Sequence, residues 1–217
     1  TAVTTPTKIT SPSYTFSSNE TGAITYVGSC SSSTTGASAN NNTINFDNMS
    51  EGVHGNCFVK VTDNASNISN NLPVSSFTID TTAPTVSTVS SSTSNGTYKQ
   101  NDNITVTVTF NENVIVDNSS GNPRIQLETG TNDRYANYII GNSTSIISFL
   151  YTAQISDTAS DLDYTSTGSL TLNNGTIRDI ATNNASLTLP SPGTSGSLGA
   201  NKAIVIYTTS VFSTSYL

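Results

Sequence analysis

The sequence predicts an all-β protein with two tandem antiparallel β-sandwich domains arranged end to end. Short runs of alternating apolar and polar residues recur along the whole chain, and clusters of Gly, Pro, Asn and Ser separate them. Alternation with a period of two places one face of a strand against a core and the other in solvent. No stretch has the apolar period of about 3.6 residues that is typical of a helix, so we expect very little helix.

The composition agrees with strands joined by many loops. Of the 217 residues, charged side chains make up 10% and aromatic side chains 7%, and Trp is absent. Thr is frequent in strands, whereas Ser and Asn favour turns. Polar chains of this kind are often disordered because they bury too little apolar surface, but the regular alternation favours a folded chain.

The clearest strand is 104–110, where Ile, Val, Val and Phe alternate strictly with Thr. Only a half-buried strand explains such a pattern. Other strands are predicted at 14–16, 23–27, 43–46, 57–61, 74–79, 124–128, 135–140, 146–151, 169–172, 187–189 and 203–207.

The charge balance excludes some partners. The 14 acidic and 7 basic side chains give a net charge of −7. A nucleic-acid-binding surface needs clustered Lys and Arg, and here they are scattered singly, so we expect no nucleic acid partner. We also expect no membrane span, because no run of about 18 apolar residues is present. An acidic surface suits divalent cations instead.

The two cysteines, Cys30 and Cys57, both lie in the first 60 residues. In the run 57–61, Cys57 shares one face with Val59 and Val61, so Cys57 is expected in the core. The pair is either two free core thiols or a disulfide in an oxidising compartment. The Ser-, Thr- and Asn-rich composition favours export, and with it the disulfide.

A domain boundary is predicted where the strand 74–79 runs into Asp80-Thr81-Thr82-Ala83-Pro84. Pro84 biases the preceding residue toward extended conformations and stiffens the connection. The predicted division is a first domain at 1–80, a larger second domain at 81–207, and a C-terminal tail at 208–217.

Two stretches of the first half resemble a known family. They are 49–54, which reads MSEGVH, and 57–67, which reads CFVKVTDNASN. They look like the penultimate-strand region of Ig-like repeats in large secreted bacterial adhesins, where an apolar residue, a Gly, an aromatic residue and a strand precede a D-x-A-G-N turn. The segment 79–86, which reads IDTTAPTV, is similar to the joints between such repeats.

The second half resembles a different repeat type of the same proteins, through 108–114, 161–166 and 175–179. The chain also departs from the pattern. His54 stands where an aromatic residue is usual, and Ser66 and Thr182 stand where Gly is usual.

The end of the second domain departs as well. At 207–211 the joint motif has Tyr207 in place of its Asp and Val211 in place of its Pro. The chain therefore resembles the end of an array or a self-contained subunit more than an interior link.

The resemblance implies two Ig-like domains and a non-enzymatic role: a structural or adhesive segment of an adhesin or filament on the bacterial cell surface. Its partners would be neighbouring Ig-like domains or subunits, or a host or cell-surface ligand. Two alternatives stay open. The chain could polymerise into an extracellular fibre by strand donation from its tail, or it could bind a glycan or a protein through its loops.

An Ig-like fold would gather acidic residues at the joint between the domains. In such a sandwich the BC and FG loops lie at the pole where the chain enters. We expect the BC loop to contain Glu112, the FG loop to contain Asp179, Asn183 and Asn184, and the linker to contribute Asp80. Carboxylate and amide oxygens suit Ca²⁺, so this set predicts an interdomain Ca²⁺ site. The alternative is that these side chains only hydrogen-bond their own turns.

The same logic predicts a weaker Ca²⁺ site at the entry pole of the first domain, from Glu20, Asp63 and Asn67. It is weaker because residues 1–6 contribute no acidic side chain.

Other candidate sites are interpreted as structural. The acidic run 157–163 does not match the spacing of an EF-hand loop, and with Tyr164 it is typical of a tyrosine-corner crossing. His54 is the only histidine, so neither a Ser–His–Asp assembly nor a zinc site is predicted. We expect no enzymatic activity.

Overall fold

The computed structural model describes residues 1–208. They fall into two compact units: unit 1 comprises Thr1–Thr82 together with Ile180–Asn183, and unit 2 comprises Ala83–Asp179 and the chain from Asn184. The predicted tail 208–217 therefore lies outside the described residues, apart from Thr208. The all-β class is confirmed. No helix in 1–208 is both long and apolar enough to cross a membrane.

Unit 1 is built from short antiparallel strands. They are β1 (Ser13–Ser18), β2 (Gly22–Gly28), β3 (Gly36–Ala37), β4 (Asn40–Asn45), β5 (Gly52–His54), β6 (Cys57–Asp63), β7 (Leu72–Pro73) and β8 (Phe77–Ile79). They form a sheet in the order β3-β2-β6-β7 and two pairs, β1-β4 and β5-β8.

A disulfide bond joins the inner face of β6 to the loop that follows β2. Cys57 and Val59 are each 1% exposed, as the alternation predicts. The disulfide between Cys30 and Cys57 is confirmed, with the two Cα atoms 5.3 Å apart. The bond therefore ties the central strand of the larger sheet to the loop that leaves its neighbour.

A column of aromatic rings lies in the unit 1 core. Phe46 stacks on Tyr14 and on Phe77, with ring centroids 6.1 Å apart in both pairs. His54 also stacks on Phe77, with ring centroids 5.4 Å apart. The histidine thus makes a ring contact of the kind that aromatic side chains make.

Unit 2 is larger and also nearly all β. Its strands are β9 (Val86–Ser91), β10 (Gly96–Tyr98), β11 (Asn103–Asp117), β12 (Arg124–Leu127), β13 (Arg134–Ile140), β14 (Thr144–Thr152), β15 (Thr158–Ala159), β16 (Leu170–Thr171), β17 (Thr176–Arg178) and β18 (Ile204–Tyr207), with one short helix, α1 (Leu198–Asn201). One sheet has the order β16-β12-β13-β14-β11-β17 with β9 also on β11, and the other has the order β10-β18-β15.

Strand β11 runs through the centre of the larger sheet. Its first part pairs with β14 and β9, and its last part, 115–117, pairs with β17. Ile104, Val106 and Val108 are fully buried on one face while Thr alternates on the other. One core joins this sheet to β18, whose Ile204 and Ile206 belong to the same buried cluster.

A bulge interrupts β11 between Thr109 and Val114. The prediction that Glu112 lies in a loop is wrong, since residues 111–113 remain within the strand. The register shift lets the strand absorb extra residues and continue to a new partner.

Buried polar groups join elements of unit 2. Asp157 is 1% exposed. Its carboxylate accepts hydrogen bonds from Tyr151 Oη at 2.7 Å and from Gln154 N at 2.8 Å. It also forms a salt bridge with Arg134 Nε at 2.9 Å. Tyr164 Oη donates to the Pro190 carbonyl at 2.6 Å. A tyrosine hydrogen bond at this crossing is therefore present, and its acceptor lies downstream in the chain.

Most of the predicted strands are confirmed, but the strand at 187–189 is wrong. Leu189 is 2% exposed and packs in the core from an irregular segment, where its N–H donates to the Thr167 carbonyl at 2.9 Å. Strand β9 was not predicted, because Val86 and Val89 are its only apolar residues and they do not alternate.

Reduction of the disulfide should destabilise unit 1. The bond closes a loop with a sequence separation of 27, so its loss should lower the free energy of unfolding by about 3–4 kcal/mol. Hydrogen exchange of slow unit 1 amides with and without reductant measures this difference, and unit 2 serves as the internal reference. A Cys30→Ser/Cys57→Ser double variant should not respond to reductant. Equal exchange of the native chain in both conditions would contradict the prediction.

Alkaline pH should destabilise unit 2 through Tyr151. Burial first, then the hydrogen bond and charge of Asp157, raise the pKa of Tyr151 well above its ordinary value of 10.0. Because the pKa is raised on folding, this stability is present below about pH 10 and is lost as the pH rises further. Denaturant unfolding as a function of pH tests this. Tyr151→Phe should flatten the alkaline loss, whereas Tyr207→Phe, at an exposed site, should not.

Candidate metal centre

The bulge of β11 places Glu112 at the end of unit 2 where the chain enters. Its neighbour Asn111 holds the entering segment: Asn111 N donates to the Thr85 carbonyl at 3.0 Å, and Asn111 Oδ1 accepts from Thr85 N at 2.7 Å. These two bonds attach the first residues of unit 2 to β11. Glu112 itself is half-buried.

Strand β17 ends at Arg178, directly before Asp179, and places Asp179 near Glu112. β17 pairs with the end of β11, with Arg178 opposite Ile115, so Asp179 follows directly beside the bulge. Asp179 is 1% exposed. A carboxylate oxygen of Glu112 and one of Asp179 lie within 4.8 Å of each other. Two carboxylates at this separation in a partly buried place favour a nearby positive charge.

The other predicted ligands occupy defined positions in their own units. In unit 1, Asp80 follows β8; its Oδ1 accepts from Thr82 N at 3.1 Å, and its backbone carbonyl accepts from Asn183 Nδ2 at 2.9 Å. Asn183 is 9% exposed. In unit 2, Asn184 is exposed and forms an isolated bridge with Arg178. Within the units, the structure thus brings together Glu112 with Asp179, and Asp80 with Asn183.

The donor set suits a hard cation. Glu112, Asp179 and Asp80 offer carboxylate oxygens, and Asn183 and Asn184 offer amide groups. Ca²⁺ takes six to eight oxygen ligands and tolerates irregular geometry. The residues therefore fit Ca²⁺ by their chemistry.

Sequence reasoning missed Glu51. Its two carboxylate oxygens accept hydrogen bonds from Thr81 Oγ1 at 2.7 Å and from Thr82 Oγ1 at 2.6 Å. The Thr82 bond, and then the Thr81 bond, lower the pKa of Glu51 below its ordinary value of 4.5. The carboxylate thus fixes the last residues of unit 1. No local sequence pattern links residues so far apart in the chain.

One five-residue turn occurs twice, at 63–67 and at 179–183, where the sequences read DNASN and DIATN. Ser66 and Thr182 occupy its fourth position, and both have φ of +72°. That is the left-handed region, which glycine adopts without steric cost. Ser66 and Thr182 therefore adopt this conformation at a steric cost that Gly would not have.

At the first-domain site, Asp63 holds its own turn. Its Oδ1 accepts from the N–H groups of Ala65 and Asn67, each at 2.8 Å, and its Oδ2 accepts from Asn67 Nδ2 at 2.7 Å. The Asn67 bonds lower the pKa of Asp63 below its ordinary value of 3.8. Among residues 1–208, the one acidic group with metal-binding spacing does not include Glu20 or Asp63. The hydrogen bonds of Asp63 are those expected if this side chain holds its own turn.

The acidic run 157–163 is structural in the described fold. Asp157 lies in its buried network, and Asp163 accepts from Tyr164 N and from Gly193 N, each at 2.9 Å. Asp161 is exposed. His54 bonds the Ser50 carbonyl through Nε2 at 2.8 Å and belongs to the aromatic column.

Thr182→Gly should stabilise the protein. Removal of the Cβ relieves a left-handed residue that costs about 1–2 kcal/mol, and the added chain entropy of Gly offsets about 0.5–1 kcal/mol. We expect a net gain of about 0.5–1 kcal/mol in the free energy of unfolding, measured by denaturant titration. Ser66→Gly should behave in the same way. Thr176→Gly, in ordinary strand β17, should destabilise; a loss for all three variants would contradict the argument.

Comparison with known proteins found no match: no family model, no curated protein and no solved structure corresponds to this chain.

Proposed function

We propose that this chain is a non-enzymatic structural or adhesive segment of an extracellular bacterial surface protein. In this proposal the two units are Ig-like β-sandwich domains, and Ca²⁺ stiffens the connection between them. The observation that carries it is the pair of carboxylates, Glu112 and Asp179, held within 4.8 Å at the entry end of unit 2.

The backbone around this pair supports a binding role. Glu112 lies in the bulge of β11. The residue before it, Asn111, is fixed by two hydrogen bonds to Thr85. Asp179 begins a turn whose last residue, Asn183, donates to the Asp80 carbonyl. A carboxylate from each of Glu112, Asp179 and Asp80 would then surround the ion, with amide oxygens completing the shell. Bulges are frequent beside functional sites because they re-aim side chains.

The disulfide supports an extracellular location. Disulfides persist in oxidising compartments and are rare in the cytosol. Cys30–Cys57 is buried and joins two elements of the core of unit 1, which is the position of a structural bond. The only histidine, His54, is held by ring stacking and by Ser50, so its role is packing.

Ca²⁺ should raise the melting temperature of the native chain. A ligand present at about a hundredfold over its Kd stabilises by roughly 2.7 kcal/mol, and the expected shift is about 5–10 °C. Glu112→Gln and Asp179→Asn should abolish the shift, and calorimetric titration with Ca²⁺ should show no binding to either variant. Each variant should therefore melt at the same temperature with Ca²⁺ as with chelator.

Asp161→Asn is the matched control, because it removes an exposed carboxylate from the same unit and should keep the full response. Small-angle scattering of the native chain should also change on chelation, since the proposal assigns stiffening to the ion. Identical melting and scattering profiles with Ca²⁺ and with chelator would overturn the metal site and the stiffening.

A further inference from the structure

We propose that a cavity of unit 1 is an acceptor site for an extended strand, and that its occupant is the segment 209–217 of a second copy of this chain. The proposal goes beyond the function above and does not depend on Ca²⁺, because every residue that lines the cavity belongs to unit 1 and both Glu112 and Asp179 belong to unit 2.

The cavity has a volume of about 500 Å³. One wall is the end of β1, including Phe16 and Ser17, and the opposite wall is the inner face of β6 with the segment that follows it, including Val61. Ile68 and Leu72 also line it and are 67% and 39% exposed. Val61, Ile68 and Leu72 are thus left partly in solvent, whereas Phe16 on the β1 wall is buried at 6% exposure.

The wall formed by β1 has an open backbone edge. In the described residues β1 pairs with β4 along one side. On the other side, Thr15 N donates to the Thr1 carbonyl at 3.3 Å, and the Thr15 carbonyl accepts from the Thr1 amino group at 2.6 Å. Backbone groups of alternate residues point to the same side of a strand. The N–H and carbonyl of Ser17 therefore face that side too, beyond the reach of Thr1 and beside the cavity.

An exposed strand edge next to partly buried apolar side chains is the arrangement that recognises an added strand. The main chain of the incoming segment pairs with the edge, and its alternate side chains enter the cavity. The rim also restricts the occupant, since Glu20 and Asp63 border the cavity. An acidic peptide would be repelled there, whereas an uncharged segment would not.

The segment 209–217, which reads TSVFSTSYL, meets these requirements. It contains no Asp, Glu, Lys or Arg. In an extended conformation Phe212 and Tyr216 would share one face, and nine residues would reach about 30 Å. The segment starts from a fixed point, because Thr208 donates to the Asp157 carbonyl through N at 3.2 Å and through Oγ1 at 2.8 Å.

Docking of one copy's segment into the next copy's unit 1 is a head-to-tail contact. Such contacts build open chains unless a rotation closes them into rings. The full chain should therefore associate with increasing concentration, and sedimentation velocity should show an apparent mass that rises at least about twofold. A chain that ends at residue 208 should remain monomeric with an unchanged circular dichroism spectrum.

Two sets of variants test the roles of the segment and of the acceptor separately. Phe212→Asp/Tyr216→Asp should abolish association, whereas Ser213→Asp, on the other face of the segment, should retain most of it. Ile68→Asp/Leu72→Asp should also abolish association. Val53→Asp is the matched control for unit 1, because Val53 is 74% exposed and lies outside the cavity.

Mixing gives the decisive measurement. The Phe212→Asp/Tyr216→Asp chain keeps an open acceptor, and the Ile68→Asp/Leu72→Asp chain keeps an intact segment. Each alone should be monomeric, and the mixture should form a one-to-one complex and nothing larger. A mixture that stays monomeric overturns the proposal.

A synthetic 209–217 peptide tests where the segment docks. Fluorescence anisotropy should detect its binding to the chain that ends at residue 208, and a scrambled peptide should not bind. If the peptide binds while the full chain is monomeric at every concentration, the segment fills the acceptor of its own chain, which overturns the second copy as occupant. If the full chain associates but the cavity variants do so equally, the acceptor is misassigned.

Discussion

Strand β11 is the constraint on which unit 2 depends. Its buried apolar face runs from Ile104 to Val116, where the buried apolar side chains are at most 6% exposed. The strand pairs in turn with β14, β9 and β17. Burial of this face requires the register to stay in phase, because a slip by one residue would turn each apolar side chain to solvent. The bulge between Thr109 and Val114 relieves that requirement at one place. There the strand changes partner, and there Glu112 meets Asp179.

Unit 1 depends on a different device. Its strands are short and its sheets small, so burial alone stabilises it less than unit 2. The Cys30–Cys57 bond restricts the unfolded chain, and the aromatic column from Tyr14 to His54 supplies large buried surfaces with favourable ring contacts. The cavity between β1 and β6 shows where this small core stays open. This opening is the surface that we propose as the acceptor of an added strand.

The five-residue turn that occurs at 63–67 and at 179–183 lies at both predicted metal sites. At 63–67 the leading aspartate uses both carboxylate oxygens on its own turn, through Ala65 and Asn67. At 179–183 the leading aspartate is almost completely buried and lies within 4.8 Å of Glu112. One local sequence pattern therefore occurs in two different surroundings. Both copies accept a non-glycine residue at positive φ, which indicates that the turn geometry is imposed by the fold.

The sequence by itself determined the all-β class, most strands, the faces they bury and the choice of Cys57 as a core residue. These follow from period-two alternation, which is a local property. It could not determine that 111–113 continue β11, that Leu189 packs from an irregular segment, or that Glu51 binds Thr81 and Thr82. Each depends on partners distant in the chain. Only the tertiary structure decided that Glu112 and Asp179 lie together and that Asp63 is satisfied by its own turn, because pairing of remote strands sets the distances between carboxylates.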